Sequence, residues 1–297
     1  MTGSLGLVID GPPQKPGFRM PLVAAIQLNG SSNVERNLAT TERLVRRAAA
    51  AGATFIATPE ATPYLGPHDR KIALAEPVDG PTHTRLGRLA AELGVTLLVG
   101  SVAERWDPPP GQERTKTYNT SLLFGPDGAL TATYRKLHLF DVDLASSGGV
   151  SFCESDTTVA GDAVVVADSA VGRLGLTICY DLRFPELFAA LVAQGAELLC
   201  VPAAFTLMTG KDHWHALLRA RAIECQSYVI APAQVGAHDD GGLRRSYGHS
   251  LIIDPWGCVL AECGDAEGIA LAEIDLARVA EVRRAVPVRH NRRLPLG

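Results

Sequence analysis

The sequence predicts an α/β protein with the architecture of a four-layer α-β-β-α sandwich. Short apolar runs alternate with helical patterns, and each half of the chain has the order β-α-β-α-β followed by hairpin strands. The apolar runs are almost uninterrupted, so both faces of the strands need cover. Two mixed sheets that stack on each other, with helices on their outer faces, satisfy this requirement within one domain.

The first half of the chain begins with a buried strand over residues 22–28. Residues Ser32 to Glu35 have the spacing of a capping box and predict a helix that ends at Gly52. The next apolar run predicts a strand that ends at Glu60. In order, the remaining elements are a helix over 82–93, a strand over 95–104 and a hairpin over 118–124 and 129–140.

The second half repeats this order without repeating the sequence. A strand over 172–180 leads into a helix over 185–194, which starts at a proline and is followed by Gly195. Before this half, the segment from Asp141 to Asp162 is a long loop with little predicted structure, and such loops are usually functional. The remaining elements are a strand over 196–204, a helix over 211–226, a strand over 227–234 and a final hairpin over 249–262 and 268–276.

The composition excludes several classes of protein. The chain has 297 residues, with 28 basic and 32 acidic side chains and a net charge of −4, whereas nucleic-acid binding usually needs a basic excess. No apolar stretch approaches the roughly 18 residues of a membrane span. The six cysteines form no CxxC pair, so we expect reduced thiols in a cytoplasmic protein rather than a zinc ribbon or a disulfide framework.

A single domain is expected to cover residues 21–290. Residues 1–20 are rich in Gly and Pro and lack the pattern of a signal peptide, so we expect a flexible extension there, and a C-terminal tail over 291–297. The sequence has no glycine-rich phosphate loop and no metal-ligand motif, so we expect no cofactor and no metal. His213 and His215 lie two apart on a predicted helix and should therefore point to different faces.

Cys179 is the first candidate for chemistry, because it ends a predicted strand and a helix begins a few residues later. Open α/β proteins place their sites at such turns, and the backbone N–H groups of a helix N-terminus favour a thiolate. A buried cysteine that acts only as a small apolar side chain is the commoner case. The position alone therefore leaves both interpretations open.

Three charged residues could join this thiol. Glu60 ends an apolar strand, Lys136 ends a β-run, and Glu154 lies in the long loop. Taken singly, each is as readily a solvated loop or surface residue. Taken together, a carboxylate, an ammonium and a thiol that meet at strand ends would suffice to hydrolyse an amide without a histidine.

The residues that would bind a substrate are less sharply defined by the sequence. Three side chains follow strand ends and are candidate walls of a pocket: Tyr180, Phe205 and Thr206. Arg244 and Arg245 could bind a substrate carboxylate, although solvated loop cations are the commoner interpretation.

Four separated segments resemble the carbon–nitrogen hydrolase (nitrilase) superfamily: TPE (58–60), YRKLHLFDVD (134–143), FCES (152–155) and ICYDLRFPEL (178–187). The resemblance implies the four-layer fold, a small-molecule amide substrate and pairing into homodimers. It also implies roles for the candidates: Glu60 as proton acceptor, Lys136 as oxyanion stabiliser and proton donor, and Cys179 as nucleophile. The second glutamate of the family corresponds to Glu154, in a supporting role.

Further segments resemble one amidase branch of that family: HWHALLRARAIE (213–224), SYGHSLIIDPWG (246–257) and VRRAVPV (282–288). This resemblance implies hydrolysis of the γ-amide of a glutathione whose amino group has become a keto group, which releases 2-oxoglutarate and cysteinylglycine. The alternatives left open are an omega-amidase acting on 2-oxoglutaramate or 2-oxosuccinamate, an N-carbamoyl amide hydrolase, and a scaffold without catalysis. The insertion PPPGQER (108–114) departs from the family pattern and bears on the substrate rather than on the chemistry.

Overall fold

The structure is a computed structural model, and it describes residues 20–143, 151–238 and 244–294. The expected N-terminal extension lies outside the described residues except for Met20, and residues 295–297 of the expected tail lie outside them as well. Within the described ranges, no helix is both long enough and apolar enough to cross a membrane.

The strands of the described residues are short and numerous. In chain order they are β1 (Leu22–Gln27), β2 (Ala53–Ala57), β3 (Thr96–Arg105), β4 (Thr117–Phe124), β5 (Leu130–Arg135), β6 (Asp141–Val142), β7 (Phe152–Cys153), β8 (Thr158–Val159), β9 (Val166–Ser169), β10 (Gly172–Leu176), β11 (Leu198–Cys200), β12 (Tyr228–Ala231), β13 (Val235–Ala237), β14 (Arg245–Tyr247), β15 (Leu251–Ile253), β16 (Val259–Glu262) and β17 (Gly268–Glu273).

The helices lie between these strands and at the C-terminal end of the described chain. In order they are α1 (Val34–Ala50), α2 (His68–Ala73), α3 (Pro81–Leu93), α4 (Pro185–Ala193), α5 (Leu207–Cys225), α6 (Leu276–Ala285) and α7 (Val288–Asn291).

The strands form two mixed sheets and two short ribbons. The first sheet has the order β17-β1-β2-β3-β4-β5, with β8 beside β4, and the second has the order β16-β15-β12-β11-β10-β9. In each sheet three neighbouring strands are parallel, and antiparallel strands flank them. The ribbons are β6–β7 and β13–β14.

Successive side chains of the first sheet pack alternately into the core between the two sheets and into the core between this sheet and its helices. Val23 and Ala25 of β1 pack with the second sheet, whereas Ala24 and Ile26 pack with the apolar faces of α1 and α3. All four side chains are fully buried. Because successive side chains of a strand point to opposite faces, a strand in this position needs a continuous apolar run. Full burial of a Val or Ile side chain contributes about 1.5–3 kcal/mol.

Helices cover the outer face of each sheet. Helices α1 and α3 contact the first sheet, and α4 and α5 contact the second. The cover is apolar on both sides: Leu38 and Leu44 of α1 are buried, as are Trp214 and Leu218 of α5. The predicted four-layer α-β-β-α sandwich is confirmed.

Several boundaries differ from those predicted. Strand β2 ends at Ala57 rather than at Glu60, and helix α5 begins at Leu207 rather than at residue 211. Helix α1 is capped by Asn33, whose side chain accepts a hydrogen bond from the Arg36 N–H at 3.0 Å, so the predicted capping box from Ser32 to Glu35 is wrong. Strand β10 ends at Leu176, so Cys179 lies beyond the strand rather than at its end. For α1 and β10 the apolar pattern located the element but did not define its terminal residue.

The last strand belongs to the other sheet from the one predicted. The sequence order suggests that β17 is a hairpin strand of the second half, but it pairs antiparallel with β1, with Leu271 opposite Ala24. Helix α2 was not predicted, because it is short and buries none of its residues. The segment from Asp141 to Asp162 is less irregular than expected, since its described part contains β6, β7 and β8.

Candidate active site

A cavity of about 220 Å³ contains all the residues that the sequence analysis proposed for catalysis. Its lining includes Glu60, Lys136, Glu154 and Cys179. These residues are separated by up to 119 positions in the sequence, and they meet because each follows a strand or ribbon that ends at the cavity. The candidate walls named from the sequence, Tyr180, Phe205 and Thr206, line the same cavity.

The Glu60 carboxylate is held from three directions. Its Oε2 accepts a hydrogen bond from the Ala204 N–H at 2.8 Å. Its Oε1 accepts hydrogen bonds from Asn119 Nδ2 at 2.9 Å and from Lys136 Nζ at 3.1 Å. The carboxylate is buried, so these partners offset the cost of removing it from water.

Lys136 lies between two carboxylates and is almost fully buried. Its Nζ lies 3.1 Å from Glu60 Oε1 and 2.8 Å from Glu154 Oε2. Burial acts to lower the pKa of Lys136, but the charges of Glu154 and Glu60 outweigh it and hold this pKa well above its ordinary value. The lysine is therefore a permanent ammonium at neutral pH.

Glu154 completes this cluster through a second set of bonds. Its Oε2 also accepts a hydrogen bond from the Phe140 N–H at 2.7 Å, and its Oε1 accepts one from Asn119 Nδ2 at 3.1 Å. Burial acts to raise the pKa of Glu154, but the Lys136 ammonium more than compensates, so this pKa is lowered. The Lys136 ammonium and the two carboxylates together carry one net negative charge beside Cys179. This charge favours the protonated form of the Cys179 thiol.

Cys179 begins a 3-10 turn, Cys179–Arg183, with a backbone φ of 50°. This φ is in the left-handed region, which non-glycine residues rarely adopt outside functional sites. The Cys179 N–H donates to the Pro202 carbonyl at 2.8 Å, which ties the turn to the chain that follows β11. The strain is held by this bond and by the packing around the turn.

Asp181 anchors the same turn from inside the fold. Its carboxylate accepts hydrogen bonds from the Ile178 N–H at 2.8 Å, the His138 N–H at 3.0 Å and the Tyr134 hydroxyl at 2.6 Å. The side chain is fully buried. Because these donors come from both sheets, the nucleophile turn is fixed to the segment that carries Lys136.

The thiol of Cys179 is protonated at neutral pH. Burial and the Glu60 charge raise its pKa well above the ordinary value, and the opposing effect of Lys136 is smaller. The sequence-based expectation that the turn would favour a thiolate is therefore wrong for the free protein. The thiol is within hydrogen-bonding reach of the Glu60 carboxylate, which can take its proton when a substrate arrives.

Sequence reasoning missed Asn119, which donates to both glutamates of the cluster. The available signal was an amide side chain in the predicted strand next to residues that enter the core, because a half-buried amide needs hydrogen-bond partners. It also missed His68 and Lys71 of α2, which line the cavity. No periodic pattern marks that short helix.

The two arginines considered for substrate binding also reach the cavity. Arg244 and Arg245 line it, and the Arg244 guanidinium lies 2.6 Å from His68 Nε2. Tyr180 and Phe205 form an aromatic wall of the cavity. The Tyr180 ring packs edge-on against the Phe140 ring, with 5.1 Å between the ring centroids. The cavity thus combines an aromatic wall with a basic one.

One histidine cluster lies apart from this cavity. His215, His249 and Glu262 bring three ligand atoms within 4.8 Å of one another, and none of the three lines the cavity. Glu262 Oε1 accepts hydrogen bonds from His215 Nε2 at 2.8 Å and His249 Nδ1 at 2.6 Å. Such bonds account for the cluster as an ordinary polar contact between α5 and the second sheet.

The fold and the site define a hydrolase that acts on amide C–N bonds. The family model described as Carbon-nitrogen hydrolase matches residues 22–284. The chain belongs to that family, as the motifs in its sequence indicated.

Two curated relatives and one solved structure give a closer comparison. The chain is 43% identical over 273 residues to a deaminated glutathione amidase from Synechocystis sp., covering 91% of this chain and 97% of the relative. It is 42% identical over 276 residues to the deaminated glutathione amidase of Homo sapiens, covering 92% and 83%. The crystal structure of the C. elegans NitFhit protein superposes with a TM-score of 0.83 at 37% identity, covering 93% of this chain and 66% of that fusion protein.

Proposed function

We propose that this protein hydrolyses the γ-amide of deaminated glutathione and releases 2-oxoglutarate and cysteinylglycine. The observation that carries the proposal is the contact of Lys136 with Glu60 and Glu154 beside the Cys179 thiol, in one buried cavity. The names of the relatives that cover most of the chain support the choice of substrate.

The first half of the reaction forms a thioester. Glu60 takes the thiol proton as the Cys179 sulfur attacks the amide carbonyl. The developing oxyanion is stabilised by the Lys136 ammonium and by the Tyr180 N–H, because the first N–H groups of a helical turn lack partners within the turn. The proton on Glu60 then passes to the leaving amine, the C–N bond breaks, and cysteinylglycine departs.

The second half of the reaction regenerates the thiol. Water enters the space left by the amine, and Glu60 removes its proton as it attacks the thioester carbonyl. The second oxyanion uses the same donors, and its collapse releases 2-oxoglutarate and returns the proton to Cys179. Glu154 does not contact the thiol in this scheme; it keeps Lys136 charged and correctly placed.

A substrate panel tests the proposal. Purified protein is assayed with deaminated glutathione, 2-oxoglutaramate and N-carbamoyl-β-alanine, and kcat/KM is compared across the three. We expect the highest value for deaminated glutathione, with stoichiometric release of 2-oxoglutarate and cysteinylglycine. The Cys179→Ala variant should show no turnover above background.

Three results would count against the proposal. A higher kcat/KM for the carbamoyl compound would move the protein to a different branch of the family. Unchanged turnover in the Cys179→Ala variant would remove the thioester route. Absence of a thioester with every amide tried, read by mass spectrometry of the intact protein, would favour a non-catalytic scaffold.

We further propose that the protein is a homodimer that works in the cytoplasm. The dimer follows from the family resemblance, and analytical ultracentrifugation tests it, since a monomer at micromolar concentration would contradict it. The compartment is supported by six cysteines that are all free thiols, as in reducing compartments. Neither nucleic acid nor a membrane is expected as a partner.

A further inference from the structure

Helix α2 carries the amine of Lys71, which lines the cavity but has no role in the proposed amide chemistry. Lys71 lines the cavity, and its Nζ contacts two hydroxyl oxygens, Thr157 Oγ1 at 3.4 Å and Thr158 Oγ1 at 3.2 Å. Within the described part of the chain, no carboxylate lies within ion-pair distance of this amine. Lys136, by contrast, contacts two carboxylates. Lys71 is thus a cation whose protein partners are neutral.

The surroundings of Lys71 increase its affinity for an anion. Burial lowers the pKa of Lys71 to about 8, Glu154 and Glu60 oppose this change, and Arg244 and Lys136 reinforce it. At pH 7 the amine is still mostly charged. Glu154 and Glu60 act on Lys71 from beyond ion-pair distance, and a bound anion would supply a counter-charge in direct contact.

The residues beside Lys71 are a neutral imidazole and a second cation. Burial lowers the pKa of His68 to about 4, and Arg244 and Lys71 act in the same direction, so His68 is neutral at pH 7. The guanidinium of Arg244 lies 2.6 Å from His68 Nε2. Lys71 and Arg244 are therefore the cations on this side of the cavity.

We propose that Lys71 binds the carboxylate at the 2-oxo end of the acyl half of the substrate. This inference rests on the proposed function, because it names the group that recognises a 2-oxo acid amide. The acyl half stays in the cavity as a thioester after the amine departs, so its anchor belongs on an inner wall. Lys71 is partly buried, whereas Arg245 is exposed and is better placed for the leaving half.

The test combines one variant with substrates of different charge. Lys71→Met is assayed with 2-oxoglutaramate, with deaminated glutathione and with pentanamide, which has no carboxylate. We expect KM for both 2-oxo acid amides to rise about 10- to 100-fold, the loss of one charge-assisted contact, while kcat changes little. Turnover of pentanamide should stay at the wild-type level. Lys71→Arg should recover most of the affinity.

Lys116→Met is the matched control. Lys116 Nζ donates to the Ser155 carbonyl at 2.7 Å, so it holds the same segment as Lys71 without lining the cavity. This variant should leave KM for the 2-oxo acid amides unchanged. In the wild-type protein, KM for 2-oxoglutaramate should rise as the pH passes about 8, where Lys71 loses its charge, and the rise should be absent in Lys71→Arg.

The outcomes separate this inference from the proposed function. If Lys71→Met changes KM for deaminated glutathione alone, the contact is with the leaving half and the inference is wrong. If the wild-type protein hydrolyses no 2-oxo acid amide, the proposed function fails. In that case, calorimetric titration of 2-oxoglutarate into the Cys179→Ala variant and into the Cys179→Ala/Lys71→Met double variant still tests whether Lys71 binds a carboxylate. Equal affinities of the two variants would overturn the inference about Lys71.

Discussion

The Glu60 carboxylate affects the protonation of both Lys136 and Cys179. Its charge helps to keep Lys136 protonated, and the same charge raises the pKa of the Cys179 thiol. A neutral thiol is a poor nucleophile, so in the proposed mechanism the Glu60 carboxylate removes the proton during the attack. We therefore expect the resting thiol to react slowly with alkylating agents.

The variant Glu60→Gln should separate these two effects. Loss of the general base should lower kcat for the amide substrate by about 1000-fold. Loss of the negative charge should lower the pKa of the Cys179 thiol, because Lys136 remains nearby, and so speed its reaction with iodoacetamide at pH 7. Stopped assays of turnover and mass spectrometry of the alkylated protein measure the two rates.

Glu76→Gln is the control for this experiment. Glu76 lines the same cavity, but its carboxylate accepts hydrogen bonds from the Thr82 N–H at 2.8 Å and the Thr82 hydroxyl at 2.6 Å, away from the thiol. Both rates should stay close to wild type. Alkylation that slows together with turnover in Glu60→Gln would show that the thiol needs this base for every reaction.

At the scale of elements, the site depends on a close approach between the two sheets. The segment after β2, which carries Glu60, meets the segment after β11 at Gly100 of β3. A Cβ at Gly100 would overlap the Thr58 carbonyl oxygen and would lie 2.5 Å from both the Pro59 oxygen and Pro202 Cβ. Only a glycine lets these segments come together, and the Pro202 carbonyl is the acceptor that holds the Cys179 N–H.

Gly100→Ala should therefore damage stability and activity together. We expect a loss of about 3 kcal/mol in the free energy of unfolding, from overpacking against backbone that cannot move freely. Urea unfolding and kcat/KM measure the two effects. Gly94→Ala is the matched control, because a Cβ at Gly94 would meet open space. The backbone φ of 64° should cost this variant about 1 kcal/mol of stability, and its activity should not change. Equal losses in the two variants would contradict this account.

At the scale of the whole molecule, β17 joins the two halves of the chain. It pairs with β1 along its whole length, from Leu22 opposite Glu273 to Gln27 opposite Gly268. The Gln27 side chain donates to the Gly264 carbonyl at 2.6 Å and accepts from the Ser250 N–H at 2.7 Å. Strand β17, from the second half of the chain, is thus part of the sheet that the first half forms.

This connection predicts a single cooperative unit. Peptides from β2 in the first sheet and β11 in the second should exchange their amide hydrogens with the same free energy of opening, because neither sheet can unfold without exposing the shared core. Hydrogen exchange read by mass spectrometry measures this. Peptides from α7, where none of the residues is buried, should exchange faster and serve as the control. Two clearly different free energies for β2 and β11 would show independent halves.

The sequence by itself determined the layers and named the candidate catalytic groups. Continuous apolar runs require cover on both faces, and that local requirement predicts two stacked sheets with outer helices. The short motifs around Glu60, Lys136, Glu154 and Cys179 identified candidates for chemistry, and the structure places these four residues around one cavity.

Only the tertiary structure decided the sheet that receives β17, the bridging role of Asn119, the position of Lys71 and the direction of the Cys179 pKa. Periodicity reports whether a segment is buried, and it carries no information on which distant strand lies beside it. The pKa of a thiol depends on burial and on charges brought close through space, here from residues 119 and 43 positions away in the chain. These quantities exist only once the chain has folded.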